Sequence, residues 1–401
     1  MVDLFAGCGG LSLGLEQAGF ETLAFCEVNK DAADTFAVNR QRTELLRFGD
    51  VITELDDRTL EGLRQRWGGK RDSGIDLVCG GPPCQGYSGI GHRRSYAVER
   101  KEIPSNHLYL EMIRVIRALR PKAFLFENVR GLMTGRWSKD GTPGEIWRDV
   151  LAAFQGIDGY VARPALVQAK QYGVPQNRPR VLIVGFRRDV GMDAPVDADA
   201  VSAGFLPGPS GSAPDLEEVW SDIVDDTYPK VLQTSHYPAP ARSEFARAMR
   251  TRPDGSIAHK GDPLSEHEYS NHSPRIKAKF RAMHRSGGEI PPEFQTKKFA
   301  QRLLQAQWGP EGPNITATSL PDDFVHYAQP RTLTVREWAR LQCFPDWYQF
   351  MGPRTTGGLR RAGKPTEGLW DREVPKYTQI GNAVPVRLAQ AVGEHIAKIL
   401  R

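Results

Sequence analysis

Residues 1–29 read MVDLFAGCGGLSLGLEQAGFETLAFCEVN. Val2–Ala6 is a short apolar run that enters the turn Gly7-Cys8-Gly9-Gly10. Leu11–Ala18 then has helical spacing, and a second apolar run, Thr22–Cys26, ends at Glu27. Strand, Gly-rich turn, helix and strand form the opening unit of a parallel α/β sheet. Glycine lets backbone approach a ligand closely, and an acidic residue ending the second strand can accept both hydroxyls of an adenosine ribose. The third unit offers Gly49-Asp50-Val51, where Asp50 can accept from an exocyclic amine. Together these predict an adenosine-containing cofactor across the carboxyl edge of the sheet. A turn of this kind can also be a plain strand-to-helix connection, and it lacks the third glycine of the dinucleotide fingerprint G-x-G-x-x-G.

Further along, Ile75–Cys79 and Ala123–Phe126 read as buried strands. Between them Leu108, Met112, Val115, Ile116 and Leu119 share one helix face, which Pro121 ends. Val161–Ala169 and Val181–Arg187 read as a hairpin-like pair at the sheet edge. Thr334 and Glu337 form a capping box, and a last helix after Pro385 shows Leu388, Val392, Ile396 and Ile399 on one face. The chain has 401 residues, 40% hydrophobic and 25% charged, which argues against disorder, collagen-like repeats and a membrane bundle. No apolar run is long enough for a membrane span, and no secretory signal is visible. The five cysteines have no metal-ligand spacing, so a reduced, cytoplasmic setting is expected without disulfides or a metal.

Net charge is only +5, yet it is sharply partitioned. Asp189–Pro229 holds ten acidic residues and no Lys or Arg, whereas Lys230–Pro310 holds fourteen Lys/Arg against seven Asp/Glu. A boundary near residue 189 is expected. A basic run can be no more than a solvated surface.

The fourth strand leads into Cys79-Gly80-Gly81-Pro82-Pro83-Cys84-Gln85-Gly86-Tyr87-Ser88. The two prolines keep this segment out of a helix and set Cys84 at the carboxyl edge, a candidate reactive thiol. The other cysteines suit small buried apolar positions. The fifth strand ends Phe126-Glu127-Asn128-Val129, which places a partly desolvated carboxylate at the same edge, suited to donating a proton.

In order and spacing these segments resemble the DNA (cytosine-5) methyltransferase family. DLFAGCGGLSLGLEQAGF is similar to its first cofactor motif, GGPPCQGYS to its Pro-Cys motif and ENV to its catalytic Glu motif. Gln176-Asn177-Arg178-Pro179-Arg180 resembles its Gln-x-Arg-x-Arg motif, and residues 331–346 and 379–385 its last two. The resemblance covers residues 1–188 and 329–401. It implies a Rossmann-like α/β sheet that uses S-adenosylmethionine, with a second, smaller target-recognition domain. The expected division is 1–188 catalytic, 189–376 recognition and 377–401 returning to the catalytic domain.

By the same resemblance Cys84 is the nucleophile, Glu127 acts at ring nitrogen 3, Arg180 holds the cytosine carbonyl and Arg178 is its neighbour. Cofactor contacts fall on Phe5, Gly7, Cys8, Gly9, Glu27, Val28, Asp50, Val51, Pro83, Leu108, Asn382 and Val384. Since the target carbon is unreachable inside a duplex, the base must leave the stack. Gln85, Ser88, Arg93 and Arg94 then fall at DNA, the last two in a loop, Gly89–Asn106, expected to act as a lid.

The basic half of the insertion supplies Arg275, Lys277 and Lys279, with Arg281, Arg285, Lys297, Lys298 and Arg302, for phosphates and guanine edges. Residues 350–376 are a second variable stretch that can reach DNA, and the acidic half is expected to face away from it or act as a spacer. The first strand begins almost at Met1, so no N-terminal regulatory domain is expected, and such a compact chain suits a monomeric bacterial restriction–modification methylase, whose cognate endonuclease would act separately, or a solitary methylase. Three alternatives remain: an RNA cytosine methyltransferase, an NAD-dependent oxidoreductase that would leave Cys84, Glu127 and Arg180 without a task, and a DNA-binding relative with relic motifs.

Overall fold

A computed structural model describes residues 1–40, 46–47, 52, 55–68, 74–83, 104–138, 140–296, 300–307, 309, 312–315, 323–355 and 373–401. β1 (Val2–Leu4) leads into α1 (Gly10–Gln17), and β2 (Ala24–Cys26) into α2 (Lys30–Val38). β3 (Leu46–Arg47), α3 (Asp57–Trp67), β4 (Leu77–Gly80), α4 (Leu108–Leu119) and β5 (Ala123–Val129) follow. After α5 (Glu145–Gln155) come β6 (Tyr160–Gln168) and β7 (Pro179–Arg187).

These strands form one sheet in the order β3-β2-β1-β4-β5-β7-β6, with β7 antiparallel to both of its neighbours. The later pair is thus the hairpin-like edge that the sequence predicts. Strand order reverses between β1 and β4, the place where open α/β sheets bind ligands beyond the strand ends.

Alternate residues of each strand bury on opposite faces. Phe124, Phe126 and Ile183 pack with Leu60 of α3, Met112 and Ile116 of α4, and Val150 of α5. Leu125, Leu182 and Val184 belong to a second cluster with Leu11 and Leu15 of α1. α1 packs closely on the C-terminal helix, and glycine makes the approach feasible. A Cβ on Gly14 would lie 2.3 Å from the Val386 carbonyl oxygen, and one on Gly10 would lie 2.5 Å from that of Val384.

The second half of the chain contributes α6 (Leu216–Trp220), α7 (Glu244–Arg250), α8 (Pro274–Arg285), β8 (Arg302–Leu303), β9 (Phe324–Val325), α9 (Val335–Leu341), α10 (Lys376–Asn382) and α11 (Val386–Leu400). The predicted capping box starts α9. Thr334 accepts from the Glu337 amide at 3.2 Å, and Glu337 accepts from the Thr334 amide at 2.8 Å.

The hydrophobic core does not divide at residues 188 and 376. One cluster joins Leu11 and Leu15 to Trp220, Phe245, Trp338, Phe344, Tyr348 and Ile396. Residues near 350, expected in the recognition part, bond directly to α2: the Met351 amide donates to Thr35 Oγ1 at 2.8 Å and the Gln349 amide to Asn39 Oδ1 at 2.9 Å. The acidic stretch is no mere spacer either. Asp222 is buried between Arg250 at 2.7 Å and Arg340 at 2.6 Å, while Leu216, Val219 and Trp220 enter the core. Its compensating cations come from far along the chain, where a count of local charge cannot see them. Among the described residues no helix is long and apolar enough to cross a membrane.

Candidate active site

The carboxyl ends of β1, β2, β4 and β5 and the start of β7 share one edge of the sheet. At the end of β1 the chain turns sharply. Phe5, Gly7 and Gly9 have φ of 58°, 55° and 85°, and the Gly9 amide closes the turn onto the Ala6 carbonyl at 3.0 Å. A non-glycine residue held at positive φ, as Phe5 is, stores strain that the surroundings must maintain.

Two buried side chains hold this turn from behind. The Tyr348 hydroxyl donates to the Cys8 carbonyl at 2.6 Å, and Arg40 donates to the Gly9 carbonyl at 3.3 Å. A Cβ on Gly9 would meet both groups at 2.8 Å, so this glycine is required by packing as well as by φ. At Gly7, in contrast, no atom of the described residues lies within 4 Å of such a Cβ, so the cradle opens there among them.

Glu27 lies across the turn. One carboxylate oxygen accepts from the Gly7 amide and the other from the Asn29 amide, both at 2.8 Å. Asn29 in turn caps α2 by accepting from the Ala32 amide at 3.0 Å. A carboxylate oxygen can accept from more than one donor, so Glu27 can hold the turn and still face hydroxyl groups. Beside it Val28 is 66% exposed, a large apolar surface in the open. Leu108 is half-buried at the start of α4, Asn382 is exposed at the end of α10, and Val384 is buried. A glycine with open space beside it among the described residues, a carboxylate ending β2 and an exposed apolar side chain fit an adenosine-type cofactor.

Cys8 reaches this cradle only through its backbone. Its thiol donates to the Gln379 carbonyl at 3.4 Å, and burial pushes the thiol pKa up to about 12. Cys26, Cys79 and Cys343 are likewise buried, as expected of small apolar positions. Asp50, Val51, Cys84, Gln85, Ser88, Arg93 and Arg94 lie outside the described residues.

The segment leading to Cys84 is described as far as Pro83, which is exposed. Gly80 pairs with Phe126 across β4 and β5. Asn128 donates to the Pro82 carbonyl at 3.1 Å, which ties the Pro-Pro segment to the strand carrying Glu127. A Cβ on Gly81 would sit 2.9 Å from Glu127 Oε2, so the two segments touch. Glu127 Oε1 lies 2.5 Å from Arg180 Nε, and the two side chains are 9% and 8% exposed. The β5–β7 register, with Val129 opposite Arg180, produces this pair from residues 53 positions apart. In a site of reduced dielectric a charged pair of this kind can orient a polar ring strongly.

Arg178 is not part of that pair. It is 1% exposed and donates to the carbonyls of Ile315, Gly381 (2.7 Å) and Ala383 (3.0 Å). Burial, followed by the charge of Arg180, pulls its pKa well down.

Lys279, expected at DNA, is 4% exposed and donates to Gln301 Oε1. It lies one turn from Ile276 and from Met283, on the core side of α8. Arg275 is exposed, with its guanidinium on the Glu293 carbonyl, and Lys277 is partly exposed. Sequence reading missed Asn128, Gly81, Arg40 and Tyr348. Arg40 and Tyr348 carry no local pattern, whereas Asn128 and Gly81 stand inside segments already singled out.

The sheet and the groups on its edge define the Rossmann-like class of methyltransferase enzymes. The C-5 cytosine-specific DNA methylase family model matches residues 1–398, and the chain belongs to that family, the DNA cytosine-5 methyltransferases. It is 32% identical over 412 residues to Type II methyltransferase M.XorII of Xanthomonas oryzae pv. oryzae, covering 100% of this chain and 85% of that protein. With Type II methyltransferase M.DdeI of Desulfomicrobium norvegicum it shares 29% over 414 residues, 99% of this chain and 88% of the other. The fold is similar to that of a prophage-encoded Escherichia coli protein described as a DNA modification methyltransferase, with TM-score 0.68 and 22% identity over 100% and 98% of the two chains.

Proposed function

We propose that the enzyme methylates carbon 5 of a flipped-out cytosine in a specific duplex sequence, with Cys84 as covalent nucleophile. The observation that carries this reading is the Glu127–Arg180 pair, 2.5 Å apart, against the segment that leads to Cys84.

Carbon 5 is a weak nucleophile. As the Cys84 thiolate bonds to carbon 6, the 5,6 double-bond electrons move towards carbon 5 and the ring becomes an enamine. Glu127 hydrogen-bonds or protonates ring nitrogen 3 as negative charge builds, and Arg180 holds the carbonyl oxygen. When bound, S-adenosylmethionine would supply carbon 5 with the methyl group from its sulfonium, the bonding pair staying on sulfur as the neutral thioether of S-adenosylhomocysteine. Loss of the carbon 5 proton returns its electrons to the ring, and the carbon–sulfur bond breaks, releasing the thiolate. Phe5, Gly7, Glu27, Val28, Asn382 and Val384 surround the cofactor, with Asp50 at its amine. Arg178 serves the site by position. In this reading the enzyme acts as a monomer, and the relatives' Type II designation is in keeping with a separate endonuclease for the same site.

Labelled methyl transfer to duplex DNA, with tRNA as the competing acceptor, tests the substrate class. Duplexes carrying 5-fluorocytosine at the modified position are expected to trap wild type covalently when the methyl donor is present. Cys84→Ser should lose trapping and methylation while still binding the duplex. Trapping that persists in Cys84→Ser would falsify the assignment of the nucleophile.

A further inference from the structure

Arg178 carries a buried positive charge whose two terminal nitrogens donate to backbone carbonyls, while its Nε has no partner among the described residues. Such an arrangement is costly unless several dipoles converge on it. The three carbonyls it holds belong to two distant segments: Ile315 lies in the insertion, while Gly381 and Ala383 flank the exposed Asn382. Two buried glutamines extend the same connection. Gln176 donates to the Leu341 carbonyl and, at 3.0 Å, to Gln342 Oε1, and accepts from the Ile315 amide at 3.1 Å. Gln342 donates to the carbonyls of Ile380 at 2.8 Å and Ala383 at 3.2 Å. The Asn177 amide completes the contact by donating to the Pro313 carbonyl at 2.8 Å.

We propose that Arg178, supported by Gln176 and Gln342, is a positioning residue that sets the Gly381–Ala383 turn and the Pro313–Ile315 segment together against β7. The inference rests on the functional reading above, in which Asn382 faces the cofactor and Arg180, second in β7, holds the base, and on the expectation that the insertion meets DNA. A planar guanidinium suits this task because it donates along several fixed directions at once, whereas an ammonium is a single flexible point charge. One side chain then fixes the cofactor turn, the recognition segment and the strand that carries the base-binding arginine. Displacing it shifts both ligand sites without removing a group that touches either ligand.

The test uses the full chain and two ligand affinities, neither of which depends on turnover. S-adenosylhomocysteine binding is measured by calorimetry without DNA, and recognition-duplex binding by anisotropy without cofactor. Arg178→Met is expected to weaken both by about tenfold to a hundredfold, as small misplacements of a site do. Arg178→Lys should recover part of each loss. Gln342→Met, which keeps Arg178 in place, should weaken S-adenosylhomocysteine more than duplex, and it carries the test if Arg178→Met does not fold. A role in stability alone predicts a lower melting temperature with both dissociation constants within about twofold of wild type at low temperature, and that result overturns the inference. Wild type that binds neither ligand overturns the functional reading, and this inference falls with it. Wild-type binding matched by all three variants overturns the inference alone.

Discussion

Asp3 stands in the middle of β1, 1% exposed, with one carboxylate oxygen accepting from the Ser12 hydroxyl at 2.5 Å. Burial pushes its pKa up to about 7. Between the ordinary carboxylate range and pH 7 the folded chain keeps a proton that the unfolded chain has lost. Asp3 therefore lowers stability as pH rises through that window, and its effect is constant above it. Buried His267, whose pKa burial lowers to about 4, acts in the opposite sense between pH 4 and 6.5, so wild type alone does not isolate Asp3. The difference between Asp3→Asn and wild type does. Asp3→Asn should gain stability relative to wild type on going from pH 4 to 7, on the order of a few kcal/mol, read by denaturant unfolding. A difference that stays flat from pH 4 to 8 would sink the assignment. At this scale the sequence names the groups at the sheet edge, because acidic, Pro-Cys and Arg motifs are local strings. It does not reveal that Glu27 also organises its own turn, or that Arg178 holds the Ile315, Gly381 and Ala383 carbonyls, because those depend on where distant backbone lies.

Among the elements, α1 and α11 make the closest helix contact. Gly14→Ala should destabilise the protein by about 1–3 kcal/mol, because the new methyl meets Val386 and Gln390 backbone rather than a side chain that can swing away. Gly62→Ala in α3 is the paired control. Among the described residues no atom lies within 4 Å of a Cβ built there, so the substitution should stabilise by about 0.5–1 kcal/mol through helix propensity alone. Equal melting temperatures for the two variants would contradict the packing argument. α4, α11 and the start of α9 are legible in the sequence because each carries a long apolar period or a capping box. α2 and α3 are harder to read. α3 buries only Leu60 and Leu63, and α2 buries Ala32, Ala33, Thr35 and Phe36, too few large side chains to set a period.

On the scale of the whole molecule, the proposed DNA face can be tested through the charge on α8. Lys277 and Arg281 lie on the accessible part of α8, whereas Lys279 turns inward. Lys277→Glu with Arg281→Glu should weaken duplex binding about equally for cognate and non-cognate sequences. It should also reduce the log–log salt slope by roughly 0.9 for each phosphate that the double variant no longer neutralises. Lys279→Met should leave that slope unchanged. A slope that falls in Lys279→Met and not in the double variant would reverse the placement of the DNA face. The order of motifs along the chain determined the fold class and the family and named the candidate site residues, since each motif is a contiguous run whose periodicity or composition is intelligible alone. Tertiary structure decided which basic side chains are accessible, where Arg178 points, and how far the insertion shares one core with the cofactor-binding sheet. The physical reason is that burial, and the pairing of groups such as Asp222 with Arg250 and Arg340, are set by contacts between residues remote in sequence, which no local pattern encodes.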